Sequence, residues 1–228
     1  MYFFEDPKFG ETMITLMAAF VLVLQIAMLA QRYLLTNIKA FAAQSFLLAC
    51  IANTIAYFND APHIYVAAFL TLLLKAIILP ILMARLVREI GIRKEIEPLV
   101  NAPISILIAG GLTMVGYVVA ESFYRPETAT GAATLGHNTL SVAISLFLIG
   151  FFTMINRRKA LTQVLALLTL ENGLFLAAIS LTYGMPLVVE LGVFFDVLVA
   201  TMVLGILVYR IRATFDSMDV SKLRRLRG

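Results

Sequence analysis

Four ionisable residues lie inside long apolar runs of this sequence: Lys75, Glu171, Glu190 and Asp196. Glu171 is the clearest case, because it stands beside Asn172 at the centre of the otherwise apolar stretch LALLTLENGLFLAAISL. A low-dielectric interior favours the neutral forms of acids and amines, so a buried carboxyl group and a nearby amine can exchange protons near neutral pH. The residue types therefore indicate a relay for protons or other cations.

A purely structural interpretation of the same residues is also open. Lys75 could pair with one carboxylate, while the other acids stay protonated and hydrogen-bond neighbouring helices. Ser, Thr or Asn would serve that purpose at less cost than a charge, so the relay interpretation is favoured. His137 is either an exit from such a relay or an ordinary histidine at the membrane surface.

The composition is that of a polytopic membrane protein. Of the 228 residues, 61% are hydrophobic and only 14% are charged. Runs of about 20 apolar residues suffice to cross a hydrocarbon core of about 30 Å. We predict an all-α membrane protein with seven transmembrane helices, at 12–30, 40–58, 62–84, 103–124, 136–155, 160–183 and 185–209. Segment 85–102 is too polar to span and is expected to form a surface loop with some helix.

Helix geometry places three of the ionisable residues near the bilayer midplane. At a rise of 1.5 Å per residue, Lys75, Glu171 and Asp196 lie about 17–20 Å from the ends of their helices. Glu190 lies about 9 Å nearer the outer surface, and about 120° around the helix from Asp196. We therefore expect Asp196 to face the interior of the bundle and Glu190 to lie nearer a polar mouth. A midplane charge costs about 2.5–3.5 kcal/mol on insertion scales, so these side chains should avoid lipid.

The basic residues predict the topology. The connections 31–39, 85–102 and 156–159 and the tail 210–228 hold 15 of the 18 Lys and Arg residues. Such an asymmetry places these segments in the cytoplasm. The N-terminus is then outside and the C-terminus is cytoplasmic, as an odd number of spans requires. Because topology accounts for the net charge of +4, no nucleic-acid partner is expected.

Cofactor chemistry is not expected on this chain. One Cys and two His residues provide no spacing for an iron–sulfur cluster, a haem ligand pair or a zinc site. No phosphate-binding or dinucleotide-binding glycine motif is present. We therefore predict no catalytic, cofactor-binding or metal-binding residues on this chain.

The last three spans carry a recognisable pattern. A basic turn, NRRKAL, precedes an apolar helix with a central acid, LLTLENGLFLAA, and a second helix with a central acid follows, VFFDVLVATMVLGILVYRIR. This part, 136–228, resembles the K subunit of respiratory complex I and its relatives in multisubunit cation/proton antiporters. The N-terminal part, 1–135, with four spans, resembles the complex I J subunit weakly.

The whole chain is similar to the family of hydrogenase-4 component E, a membrane subunit of group 4 [NiFe] hydrogenase and formate hydrogenlyase complexes. The segments that carry this resemblance are AQSFLLA (43–49), LLLKAIILPILM (72–83), LENG (170–173), VVELGVFFDVLVA (188–200) and MDVSKLRRLRG (218–228). Glu171 matches the first buried glutamate of the K-type pattern. The second is matched by Asp196, which is not a glutamate, or by Glu190.

The resemblance implies an integral subunit of a complex I-like, hydrogenase-type assembly in the cell inner membrane. It implies proton or cation translocation coupled to redox chemistry, with the [NiFe] centre and iron–sulfur clusters on partner subunits. Those partners are antiporter-like membrane subunits, a complex I H-like membrane anchor, and hydrogenase-type large and small subunits. A subunit of a cation/proton antiporter or of another complex I-like assembly without hydrogenase, and a purely structural scaffold, are the alternatives.

Overall fold

The computed structural model describes residues 7–58, 61–90, 98–123, 131–182 and 205. Within these residues every regular element is helical. The elements are α1 (Pro7–Ala30), α2 (Leu34–Phe58), α3 (Pro62–Leu70), a π-helical segment (Thr71–Ile78), α4 (Leu79–Ile90), α5 (Ala102–Phe123), α6 (Gly131–Asn156) and α7 (Ala160–Thr182). Because α3, the π segment and α4 are continuous, we refer to them together as the third span.

Six helices of the described part are long and apolar enough to cross a membrane. Their apolar stretches are Lys8–Ala30, Leu34–Phe58, Ile64–Arg88, Ala102–Ser122, Thr139–Asn156 and Leu161–Leu181. They coincide with the first six spans expected from the sequence. The seventh expected span, 185–209, and the tail 210–228 lie outside the described residues.

Two expected boundaries are wrong. The second span was expected at 40–58 after a connection at 31–39, but α2 begins at Leu34, and only Gln31–Tyr33 connect it to α1. Lys39 therefore lies within α2. Its long aliphatic side chain with a terminal charge is compatible with a helix near a membrane surface. The third span was expected to end at 84, before a loop with some helix, and its helix continues through Arg85 and Arg88 to Ile90.

The turns are closed by local hydrogen bonds. The carbonyl of Tyr33 accepts hydrogen bonds from the N–H groups of Thr36 and Asn37 in the first turn of α2, each at 3.1 Å. Pro62 occupies the first turn of α3 after Ala61, where its missing N–H is no loss. Between α4 and α5, Leu99 and Val100 donate backbone hydrogen bonds to the main-chain oxygen and the side-chain Oδ1 of Asn156, at 3.1 and 2.8 Å.

Consecutive spans run in opposite directions, so one end of the bundle collects the basic side chains. We call it the basic end; it carries Arg32, Lys39, Arg85, Arg88, Arg157, Arg158 and Lys159. Helix α7 is the most buried of the six spanning helices and α5 is the least buried. Glu171, the acid at the centre of α7, is itself only 2% exposed.

The hydrophobic core consists of two main clusters stacked along the bundle axis. The cluster nearer the basic end contains Met28, Phe41, Leu79 and Leu168, and the cluster at the opposite end contains Val21, Leu48, Ala68 and Phe175. On α1, α2, the third span and α7, the change from one cluster to the other occurs across buried polar residues. We call these residues the polar layer: Gln25, Gln44, Ser45, Thr71, Lys75, Thr169, Glu171 and Asn172.

Candidate functional site

Lys75 and Glu171 form an ion pair within the polar layer. Lys75 Nζ lies 3.6 Å from Glu171 Oε2, and each side chain is only 2% exposed. Lys75 Nζ also lies 5.8 Å from the centre of the Phe175 ring, within the range of a cation–π contact. Lys75 was expected to avoid lipid, and the carboxylate with which it pairs is that of Glu171.

A buried ion pair of this kind adds little to the net folding stability, because burying its two charges carries a large desolvation cost. Removing two charges from water costs several kcal/mol per ion, and replacing a buried pair by apolar groups is often neutral or stabilising. Deleting only one partner costs about 3–5 kcal/mol, because an uncompensated charge is left behind. A charge pair retained inside spanning helices at such a cost is a candidate for function.

Lys75 lies inside the π-helical segment. At its end, the N–H of Leu79 bonds the carbonyl of Leu74, five residues back, and Pro80 cannot donate to the preceding turn. Thr71 and Lys75 are buried within this segment. Such π-helical turns occur frequently at functional sites. The π-helical geometry was not expected from the sequence, in which Pro80 was the available signal.

A chain of side-chain amides adjoins the pair. Asn172, next to Glu171 on α7, donates through Nδ2 to Gln44 Oε1 and to Ser45 Oγ, both at 3.2 Å. Gln44 Nε2 donates in turn to Gln25 Oε1 at 3.0 Å, and Gln25 Nε2 to Thr169 Oγ1 at 3.5 Å. The chain therefore connects α1, α2 and α7 at the level of the ion pair.

A small cavity with both polar and apolar lining residues lies between the amide chain and the basic end. Its volume is about 10 Å³, and it is lined by Gln25, Met28, Asn37, Thr153, Arg157, Thr162, Leu165, Ala166 and Thr169. Arg157 is only 4% exposed, and its Nη2 donates to the carbonyls of Met28 and Leu29, each at 3.4 Å. A cation at the C-terminus of α1 is favourably placed relative to that helix's dipole.

The site expected from the sequence is thus described in part. Lys75 and Glu171 are brought together. Glu190 and Asp196 lie outside the described residues, and although the backbone of His137 belongs to α6, its side chain is not described. Sequence reasoning missed Gln25, Gln44 and Thr169 as neighbours of the pair; the signal was two glutamines within apolar runs, AFVLVLQIAML and KAFAAQSFLLA.

No group of three or more metal-ligating His, Cys, Asp or Glu side chains occurs among the residues that the structure describes. The fold and the site therefore define a class: a multi-pass α-helical membrane protein with an ion pair buried in a polar layer. No protein-family model and no solved structure matches the chain.

The chain belongs to the same family as Uncharacterized protein Rv0085 of Mycobacterium tuberculosis. The two are 39% identical over 157 residues, which cover 68% of this chain and 69% of the relative. The chain is also similar to Hydrogenase-4 component E of Escherichia coli and of Shigella flexneri, at 26% identity over 188 residues, covering 82% of this chain and 85% of each relative. This similarity supports the resemblance drawn from the sequence segments.

Proposed function

We propose that this protein is an integral membrane subunit of a hydrogenase-type, complex I-like assembly, in which the Lys75–Glu171 pair takes part in moving protons or other cations. The observation that carries the proposal is the pair itself, buried at mid-depth in a chain similar to Hydrogenase-4 component E. Movement of Lys75 relative to Glu171 changes how strongly the carboxylate holds a proton, since an opposite charge within about 4–6 Å favours the ionised form.

The proposal assigns the redox chemistry to partner subunits. Clusters of the [4Fe–4S] type are held by four cysteine thiolates, and this chain contains one cysteine. The [NiFe] centre and iron–sulfur clusters accordingly belong to hydrogenase-type large and small subunits. Antiporter-like subunits and a complex I H-like anchor are the proposed neighbours within the membrane.

Four finer features belong to the same proposal. The chain has a seventh span at 185–209, and its C-terminal part is of the complex I K type. The basic end faces the cytoplasm, which places the N-terminus outside, and the membrane is the cell inner membrane. Asp196 or Glu190 continues the relay from Glu171, and His137 connects it to the outer surface.

The test is Glu171→Gln, which keeps the size and hydrogen-bonding capacity of the side chain but removes its ionisation. The complex should assemble and its redox partners should turn over with an artificial donor or acceptor. Ion translocation by native membrane vesicles should fall about 100-fold, the scale on which a positioned proton-transfer group contributes. Glu171→Asp should retain part of the activity.

Glu121→Gln is the matched control, because Glu121 is an exposed carboxylate near the end of α5. It should translocate ions at the normal rate. Normal translocation by an assembled Glu171→Gln complex would contradict the relay and favour a scaffold. Identification of the chains that co-purify with the protein tests the partners: antiporter subunits without hydrogenase subunits would favour the alternative assembly.

A further inference from the structure

The cavity beside the amide chain has the properties of an internal water site. Its volume of about 10 Å³ is close to the minimum that holds one water molecule, about 10–15 Å³. Asn37, which lines it, is only 4% exposed, and no described residue donates a hydrogen bond to its Oδ1. Buried polar atoms are normally satisfied by protein or by ordered water, and a water in the cavity would supply the missing donor.

Hydrogen bonds run from the cavity to Asn172, the neighbour of Glu171 in the sequence. Gln25 and Thr169 line the cavity and are hydrogen-bonded to each other at 3.5 Å. From Gln25 the hydrogen bonds continue through Gln44 to Asn172, which precedes Gly173 and follows Glu171 along α7. This line runs from beside the basic end to the level of the pair, while the apolar cluster nearer the basic end packs around it.

Arg157 stands where this line reaches the basic end. Its guanidinium is buried and donates to the carbonyls of Met28 and Leu29 near the end of α1, and these bonds hold it in place at rest. A fixed positive charge in a narrow polar passage opposes the entry of cations and protons alike. A hydrated metal cation faces the further obstacle that the cavity has room for about one water.

We propose that the cavity and the amide chain form the access route by which the Lys75–Glu171 pair exchanges protons with the solution at the basic end, and that Arg157 keeps this route closed at rest. The inference rests on the proposed function and names its ion as the proton. Displacement of Arg157 admits water along the line. Each water or hydroxyl group then takes one proton and releases another, the Glu171 carboxylate receives the last, and the amides orient the water without holding a proton.

The proposed route predicts different effects on proton movement for Arg157 and Gln25, which both line the cavity. A merely structural role for these residues does not predict this difference. In vesicles containing the whole complex, loaded with a pH-sensitive dye and given a potassium diffusion potential, Arg157→Gln should raise the passive proton leak about tenfold, the effect of about 1.4 kcal/mol on a barrier. Arg157→Lys keeps the charge and should raise it less. Gln25→Leu should lower redox-driven proton translocation by about the same factor without raising the leak.

Two further variants make the outcome decisive. Asn37→Leu replaces a polar group that lines the cavity, leaves the charge of Arg157 unchanged and should also lower proton translocation, whereas Gln31→Leu, in the connection before α2, is the matched control and should not. If Gln25→Leu and Asn37→Leu translocate normally while Glu171→Gln does not, the route is wrong and the proposed function stands. If Glu171→Gln translocates normally, the proposed function fails. Sodium-dependent translocation that is independent of protons would overturn the assignment of the ion.

Discussion

At the scale of single residues, the effects of replacing Lys75 and Glu171 on the free energy of unfolding are expected to be strongly non-additive. Lys75→Met leaves Glu171 as an uncompensated buried carboxylate, which costs about 3–5 kcal/mol. Combining it with Glu171→Gln removes both charges, so the double variant should be more stable than Lys75→Met alone. Thermal unfolding of the purified complex, compared across both single variants and the double variant, measures this coupling.

Lys39→Met is the control for that cycle, because Lys39 is an exposed lysine on α2 and its replacement should change the unfolding temperature little. A double variant as unstable as the sum of the two single variants would show that Lys75 and Glu171 do not interact in the assembled complex.

At the scale of helices, α6 and α7 approach so closely that glycine is required. A Cβ on Gly150 would lie 2.8 Å from Cα of Leu170, and one on Gly173 would lie 2.7 Å from the backbone nitrogen of Phe147. Gly150→Ala or Gly173→Ala should therefore destabilise the protein by about 1–3 kcal/mol, as overpacking does. Thermal unfolding and the amount of protein in the membrane are the measurements.

Gly111 on α5 provides the matched comparison, because nothing lies within 4 Å of the Cβ it would carry. Gly111→Ala should be neutral or stabilising by up to about 1 kcal/mol, since alanine has the higher helix propensity. Equal losses of stability for Gly111→Ala and Gly173→Ala would refute close packing as the reason for the glycine.

The sequence predicted the helices better than the distances between them. Runs of apolar residues located six spans, and the cost of a midplane charge implied a partner for Lys75. The amide chain was not predicted, because Gln25, Gln44 and Asn172 meet only through the packing of three helices. The π segment was missed because helical periodicity hardly separates an i→i−5 from an i→i−4 pattern over eight residues. The start of α2 was placed six residues late because Thr36, Asn37 and Lys39 reduce its local hydropathy.

At the scale of the whole molecule, the proposed orientation can be tested at both ends of the bundle. In a Cys50→Ser background, Ser122→Cys on α5 lies at the end opposite the basic end, and Arg158→Cys lies at the basic end; both positions are exposed. A membrane-impermeant maleimide should label Ser122→Cys in intact spheroplasts and Arg158→Cys only after permeabilisation. The reverse pattern would place the basic end outside and contradict the proposed topology.

The least buried spanning helix gives the molecule an apolar outer face. On α5, Leu107, Met114 and Val118 are 76%, 72% and 67% exposed, and a row of large apolar side chains on a spanning helix is suited to lipid or to another membrane subunit. The polar groups of the site lie instead on α1, α2, the third span and α7.

The glycine contacts between α6 and α7 hold one partner of the ion pair, Glu171, more rigidly than the other. The backbone of α7 packs closely against α6 at Leu170 and at Gly173, one residue before and two residues after Glu171. The backbone that carries Glu171 is therefore held in place, because closely packed backbones have little room to slide. Lys75 has a long flexible side chain on a π-helical segment, so it is the partner that moves more easily. A force that opens the pair should therefore move the lysine and leave the carboxylate in place.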